Sequence, residues 1–318
     1  MVSGMTSVTV GVSDLEGAIG LFSGVMGLGV EERRWLTAEE RAAWHLQVER
    51  AEVVELSCAG YPIGRLRLLS CTPQSMERVR DDHGGGDSGT DIGPKAIDFY
   101  VPPPISEYVT ELEANGCVAR SVPVRHETED YDSEELVLSG PDGLPMLIMV
   151  GHRHDPAQMR RFPPGTRYSE IATVSVVCGD LEENRRFYGE LMGLSVAFES
   201  ETRPEFADDV ADLTGVAKGG RIKFVVYFDP AEPSGKILLV HFFAASTRRL
   251  TGRMLPGKLG VVLYSHQCSD LDGLHGRMAD AGYEIVTAPT TLVTSGKARR
   301  VLLVRGPNEE LFEFHQPA

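Results

Sequence analysis

The chain has 318 residues, of which 42% are hydrophobic and 24% charged, and its formal net charge is -15. That length suggests about two domains, and the balance is that of an ordinary soluble globular protein. The acidic excess argues against a nucleic-acid surface, which needs basic patches, and no apolar run approaches the ~20 residues that span a bilayer.

Met1 to Thr6 lacks the charged region and apolar stretch of a signal peptide. The five cysteines are scattered without a CxxC pair, so neither a disulfide framework nor a thiolate zinc site is indicated. A reducing, cytoplasmic compartment is the expectation.

In chain order, Ser7 to Val12 alternates valines with small residues at a strand period. Asp14 follows as a helix N-cap with Glu16 in the first turn, Ala18, Leu21, Phe22 and Val25 form an apolar helical face, and Gly27 is the stop. Val30 to Arg33, Val53 to Cys58 and Arg65 to Cys71 read as strands, with an inserted helix over Leu36 to Leu46. A second module opens with a strand over Ala96 to Val101, ended by Pro102, Pro103 and Pro104. Its helix is Ile105 to Asn115, and Val118 to Val124, Glu135 to Ser139 and Met146 to Val150 follow as strands.

The third module repeats the first. Its strand is Thr173 to Cys178, its helix Leu181 to Met192, and its further strands Leu194 to Ser200, Ile222 to Phe228 and Ile237 to Phe243. A short helix over Pro204 to Leu213 stands where the first module has its insertion. The fourth has a strand over Gly260 to Gln267, a helix over Leu271 to Ala281, and strands near Tyr283 to Val286, Arg299 to Val304 and Leu311 to His315.

The repetition is written into the residues. Asp14-Leu15-Glu16 returns as Asp180-Leu181-Glu182, and Met26-Gly27-Leu28 as Met192-Gly193-Leu194, both at a spacing of 166. The same offset carries Gly116 onto Gly282 and Gly140-Pro141 onto Gly306-Pro307, so the chain is a duplicated domain. The expected division is residues 1–150, a linker over 151–169 with several prolines, and 170–318. A second loose connector, Asp81 to Gly93, contains Gly84-Gly85-Gly86 and joins the first two modules.

Four strand-helix-strand-strand-strand units resemble the vicinal oxygen chelate superfamily, which includes glyoxalases, bleomycin-resistance proteins and extradiol ring-cleaving dioxygenases. The resemblance rests on Val174 to Leu194, with Phe187-Tyr188 and Leu191-Met192-Gly193-Leu194, and on the turns Gly140-Pro141-Asp142-Gly143 and Gly306-Pro307-Asn308. It implies an α+β fold: four βαβββ modules paired, within each half, into two cup-shaped barrels. It also implies a small-molecule substrate and a divalent metal, iron, manganese or zinc, held by His, Gln or Glu. Such ligands leave coordination sites open for adjacent substrate oxygens.

By the family's register, the first-strand ligand positions fall on Ser7, Ile97, Thr173 and Leu263, and the last-strand positions near Arg67, on Leu147, near Leu238 and on Glu313. Only Glu313 readily holds a metal, so the usual triad is largely missing. Asp98 lies one residue past its position and is expected to point away from the cup. His241 and His266 are out of phase and read as structural, and His152 and His154 read as a solvated loop pair.

The reading is therefore an enzyme of lyase, isomerase or dioxygenase-like type whose site is the second-half cup. Glu313 would be a general base if apolar neighbours raise its pKa, Thr173, Ser175 and Tyr227 would donate hydrogen bonds, and Leu263 would line the wall. The alternative is a metal-free binding or resistance protein of the bleomycin-resistance type. A third is a metal held by Glu313 with an unforeseen histidine. Neither a nucleic acid nor a membrane is an expected partner, and exchange of modules between two chains would give a homodimer.

Overall fold

A computed structural model describes the chain except residues 82–86, 128–131, 154–161, 203–206, 215–219, 244–246, 295 and 318. The first module contains β1 (Val2–Gly11), α1 (Leu15–Ile19), β2 (Gly29–Trp35), α2 (Ala38–Ala43), β3 (Arg50–Ser57) and β4 (Arg65–Thr72). The second contains β5 (Gly93–Tyr100), α3 (Ile105–Ala114), β6 (Val118–Ala119), β7 (Val124–Glu127), β8 (Asp132–Ser139) and β9 (Pro145–Arg153). The third contains β10 (Ile171–Val177), α4 (Leu181–Asn184), β11 (Ser195–Glu201), α5 (Ala207–Thr214), β12 (Ile222–Phe228) and β13 (Lys236–Phe242). The fourth contains β14 (Gly260–Cys268), α6 (Leu271–Asp280), β15 (Ile285–Thr294), β16 (Lys297–Arg305) and β17 (Leu311–Pro317).

The helix starts are those written in the sequence. Asp14, Asp180 and Asp270 each accept a hydrogen bond from a backbone N–H of the first turn, which satisfies donors the helix cannot. At matching places in the repeat, α1 and α4 continue as π-helical turns over Gly20–Val25 and Arg185–Leu191. The two inserted helices also stand where the sequence puts them, although Pro204 at the start of the second lies outside the described residues.

The architecture is α+β with two curled sheets, but the modules do not pair within the halves. One sheet runs β15-β16-β17-β14-β1-β4-β3-β2 and joins the first module to the fourth. The other runs β11-β12-β13-β10-β5-β9-β8-β6 and joins the second to the third. The seams are antiparallel pairs of opening strands, with Ser7 opposite Ser265 in one and Thr173 opposite Asp98 in the other. Every module opens on the same kind of strand, so local periodicity does not encode which partner that strand takes.

Two glycine turns lock the sheets together. Gly64, between β3 and β4, has φ +66 and lies so close to the Ile171 carbonyl that a Cβ would sit 2.2 Å from it. Gly235, between β12 and β13, has φ +70 and lies equally tight against Met5. Only glycine suits both the conformation and the approach. Between the outer faces of the two sheets lies a shared aromatic core. Tyr188 of the α4 extension stacks on Tyr227 of β12 at 5.3 Å and meets Phe312 of β17 at 6.1 Å. Among the described residues no helix is long and apolar enough to cross a membrane, and all five cysteines are free and buried.

Since each sheet takes four strands from after the linker and the rest from before it, residues 170–318 made alone expose two unpaired seam strands. That fragment should not sediment as a folded monomer, and mixing it with residues 1–150 should restore one 1:1 species. A monomeric, cooperatively unfolding second half would contradict this topology.

Candidate functional site: two cups of opposite electrostatic character

Strand register decides what faces into each cup, because paired residues share a face. In the first cup, β1 and β14 present Ser7, Thr9, Leu263 and Ser265, β4 presents Arg67 and β17 presents Glu313. Glu313 is fully buried. Its carboxylate accepts hydrogen bonds from the Trp44 indole at 2.7 Å and from Ser265 at 3.3 Å. Arg299 lies 3.4 Å away and Arg67 3.7 Å away. Burial alone would raise the Glu313 pKa, but Arg299 and Arg67, with smaller help from His315 and Trp44, hold it at about 2. This is the opposite of a carboxyl poised as a general base. The apolar neighbours expected from the sequence are there, and two guanidiniums outweigh them.

Trp44 follows the inserted helix α2, which closes this cup. Thr37 and Glu40 form a reciprocal cap at its N-terminus. Glu40 is buried and takes both guanidinium nitrogens of Arg34 at 2.8 Å. Thr294 of β15 donates to Glu40, and Thr287 donates to the Ala43 carbonyl, so the fourth module fastens the lid.

The second cup is built on the same register with different chemistry. Asp98 faces inward, not away as expected, and Ile97 points into the outer core with Val174 and Met146. With it on the inner face are Thr173 and Ser175 of β10, Lys236 of β13, Tyr100 of β5 and Glu135 of β8. Asp98 is 5% exposed and accepts a hydrogen bond from Ser175 at 3.1 Å. Burial raises its pKa to about 8; the Ser175 bond and Lys236 oppose the shift, and Glu135 adds to it. Burial likewise lifts Glu135 to about 7. Lys236, with its ammonium 5.7 Å over the Tyr100 ring, is lowered by burial to about 8, against the pull of Asp98 and Glu170. Three groups thus stand near neutrality in one cup.

The far end of this cup is apolar. Val177, Val240 and Phe242 form a cluster with Val210 of α5, and Phe224 and Leu238 are packed against it. Inner-face residues such as Thr173, Leu238 and Phe224 are only partly buried, whereas Ser7, Thr9, Ser265 and Glu313 of the first cup are sealed.

The residues expected to form one site are therefore divided. Thr173 and Ser175 lie in the second cup, and Glu313 and Leu263 in the first. Tyr227 lies in neither, since it points out to stack on Tyr188. His241 meets the Cys178 carbonyl and His266 the Ser3 carbonyl, as structural histidines do. His152 lies 3.7 Å from Glu134 at the surface, and His154 falls outside the described residues. Sequence reasoning missed Lys236, Glu135, Arg299 and Trp44. Lys236 had a signal: only six of the 31 basic residues are lysines, and this one heads the apolar run Ile237 to Val240.

Neither cup suits a divalent cation. In the first, two guanidiniums already engage the sole carboxylate at a family ligand position. In the second, Asp98 shares the inner face with the Lys236 ammonium one strand beyond β10. Among the described residues no three His, Cys, Asp or Glu side chains gather as a metal site.

With this geometry in place, residues 170–314, the second half of the chain, match the Glyoxalase/Bleomycin resistance protein/Dioxygenase superfamily. Glyoxalase I from Zea mays is similar in structure, with a TM-score of 0.61 at 12% identity over 98% of this chain and 92% of that one. A putative dioxygenase from Bacillus subtilis subsp. subtilis str. 168 gives a TM-score of 0.59 at 14% identity, over 99% of this chain and 86% of that one. At such identities the likeness shows the fold. No curated protein matched in sequence.

Two stability predictions follow from the charges. Glu313→Gln removes the buried carboxylate shared by the partly buried Arg67 and Arg299, which keep only the flanking Glu55 and Glu40, and should cost ~3–5 kcal/mol in denaturant unfolding at pH 7; a loss under ~1 kcal/mol would contradict the arrangement. Glu313 has a depressed folded pKa, so its contribution is complete above the ordinary value of ~4.3 and fades as pH falls toward about 2. Asp98 has the reverse sign: the folded state holds a proton that the unfolded state releases above ~3.9, so stability declines up to about pH 8. Asp98→Asn should therefore raise the melting temperature more at pH 9 than at pH 5, and an equal shift at both would contradict a neutral buried carboxyl.

Proposed function

We propose that the second cup binds a small polyoxygenated organic metabolite and moves a proton on it, an isomerase or lyase type of reaction. The observation that carries this reading is the gathering in one cup of Asp98, buried and lifted to about 8, Glu135, partly buried, lifted to about 7 and 3.4 Å from His126, and Lys236. General acid–base catalysis works best when the catalytic pKa lies near the working pH, and paired carboxyls of shifted pKa beside a partner charge mark functional sites.

The roles divide by position. Asp98, oriented by Ser175, is the group that takes or gives the proton. Glu135 lies two strands away on the same face and serves as the second acid or base. Lys236, when protonated, stabilises an oxyanion that develops on the substrate. Thr173, opposite Asp98 and partly exposed, donates to a substrate oxygen. The apolar patch around Val240 and Phe242 receives the carbon body of the ligand. The family match of residues 170–314 supports a small-molecule substrate, and the two structural likenesses support the cup without deciding the reaction. A divalent metal, common in the family, does not fit the residues of either cup, and no step here depends on one.

The assay needs no prior substrate. Small hydroxy-carbonyl compounds are incubated with the protein in D2O, and exchange of the hydrogen next to the carbonyl is followed by proton NMR. At least one compound should exchange. With Asp98→Asn the rate should fall ~10²–10⁴-fold while saturation-transfer NMR still detects binding. Undiminished exchange in Asp98→Asn would remove Asp98 from the mechanism, and binding without exchange in the wild type would favour a binding protein.

A further inference from the structure

The first cup holds buried donors with nothing to donate to. Among the described residues, Arg67 Nη1, Arg299 Nε, Ser7 Oγ and Thr9 Oγ1 are enclosed and have no hydrogen-bond partner. Ser7 and Thr9 are 2% and 0% exposed. Register puts them on the inner face with Glu313: Ser7 lies opposite Ser265, which donates to Glu313, and Thr9 lies beside Arg67. An unmet buried donor costs ~1–3 kcal/mol, and four around one carboxylate are a costly arrangement unless something else accepts from them.

The two unmet guanidinium nitrogens belong to an arginine-rich network. Arg65 and Arg67 meet Glu55, Arg67 and Arg299 meet Glu313, and Arg299 and Arg34 meet Glu40. Four guanidiniums thus meet four carboxylates, with Glu32 at the exposed rim. His315 adds no further positive charge, since burial, chiefly, lowers its pKa to about 4.

A way in exists. Trp44 borders a surface cleft of about 380 Å³ together with His45, Gln74 and Lys258. Its buried edge is the indole N–H on Glu313, and the Arg67 guanidinium lies 5.7 Å from its ring. One aromatic side chain separates the cleft from the unmet donors.

We propose that the first cup is a binding site for one small organic monocarboxylate, received when Trp44 swings toward the cleft. The carboxylate takes hydrogen bonds from Arg67 and Arg299 and from the Ser7 and Thr9 hydroxyls, and its carbon body lies against Leu263 and Leu303. A guanidinium fork suits a planar carboxylate. A phosphate dianion would meet the fixed charge of Glu313, which a monoanion meets less strongly. This site is independent of the proton-transfer reading of the second cup.

The chain contains two tryptophans, Trp35 and Trp44. Trp35 is 52% exposed and Trp44 only 2%, so a Trp35→Phe protein reports on Trp44 alone. It is titrated separately with propionate, lactate, benzoate and inorganic phosphate while tryptophan emission is recorded. At least one carboxylate should give a saturable change. Thr9→Val, which removes an unmet hydroxyl and no ion pair, should fold as well as the parent and raise the Kd of that carboxylate ~10-fold, the worth of one hydrogen bond to a charged group. Three outcomes overturn the proposal: no saturable change in Trp44 emission with any carboxylate, a saturable change with phosphate alone, or an unchanged Kd in Thr9→Val.

Discussion

Everything in this molecule depends on which opening strand lies beside which. The antiparallel seams β1–β14 and β5–β10 join modules that are far apart in sequence, and they alone decide which side chains share a cup. Once the seam sets Ser7 against Ser265 and Thr173 against Asp98, the period of two along each strand fixes the rest of both linings. The glycine turns at Gly64 and Gly235 hold the seams in step, since each lets one sheet's hairpin touch the first strand of the other.

Duplication gave the two cups one framework and left their chemistry free to diverge. At the position where the first cup has Ser7 the second has Thr173, and both carry an inserted helix, α2 in one and α5 in the other. Yet the buried acid of the first cup is clamped by arginines and stays ionised, while in the second burial lifts Asp98 and Glu135 toward neutrality, offset only in part at Asp98 by Ser175 and Lys236. Arginine cannot give up its proton in a protein, and lysine can. That difference suits the first cup to holding a charge and the second to moving a proton.

The modules, their helix caps and nearly every strand were legible, because alternation, capping aspartates and stop glycines are local signals. Two things were not. The pairing of modules is non-local, and four similar opening strands offer no local sign of their partners. The faces of β5 were also hidden: all eight residues of Gly93–Tyr100 are buried, so alternation could not tell Asp98 from Ile97. Tyr227 failed for a related reason. On β12 both faces are apolar, with Val225 and Tyr227 on one and Phe224 and Val226 on the other, and only the stacked Tyr188 shows which is the core. Glu313 was found by its place on the last strand, but the arginines that set its charge state come from β4 and β16, more than two hundred residues apart in sequence.

The account turns on whether the second cup keeps a carboxyl protonated near neutral pH. The direct measurement is a carboxyl carbon-13 NMR titration of Asp98, its signal assigned by its loss in Asp98→Asn. A midpoint near 8 is the predicted result. A midpoint near 4, the ordinary aspartate range, would mean that Asp98 is solvated or tightly paired, and the proton-transfer reading of this cup would fall.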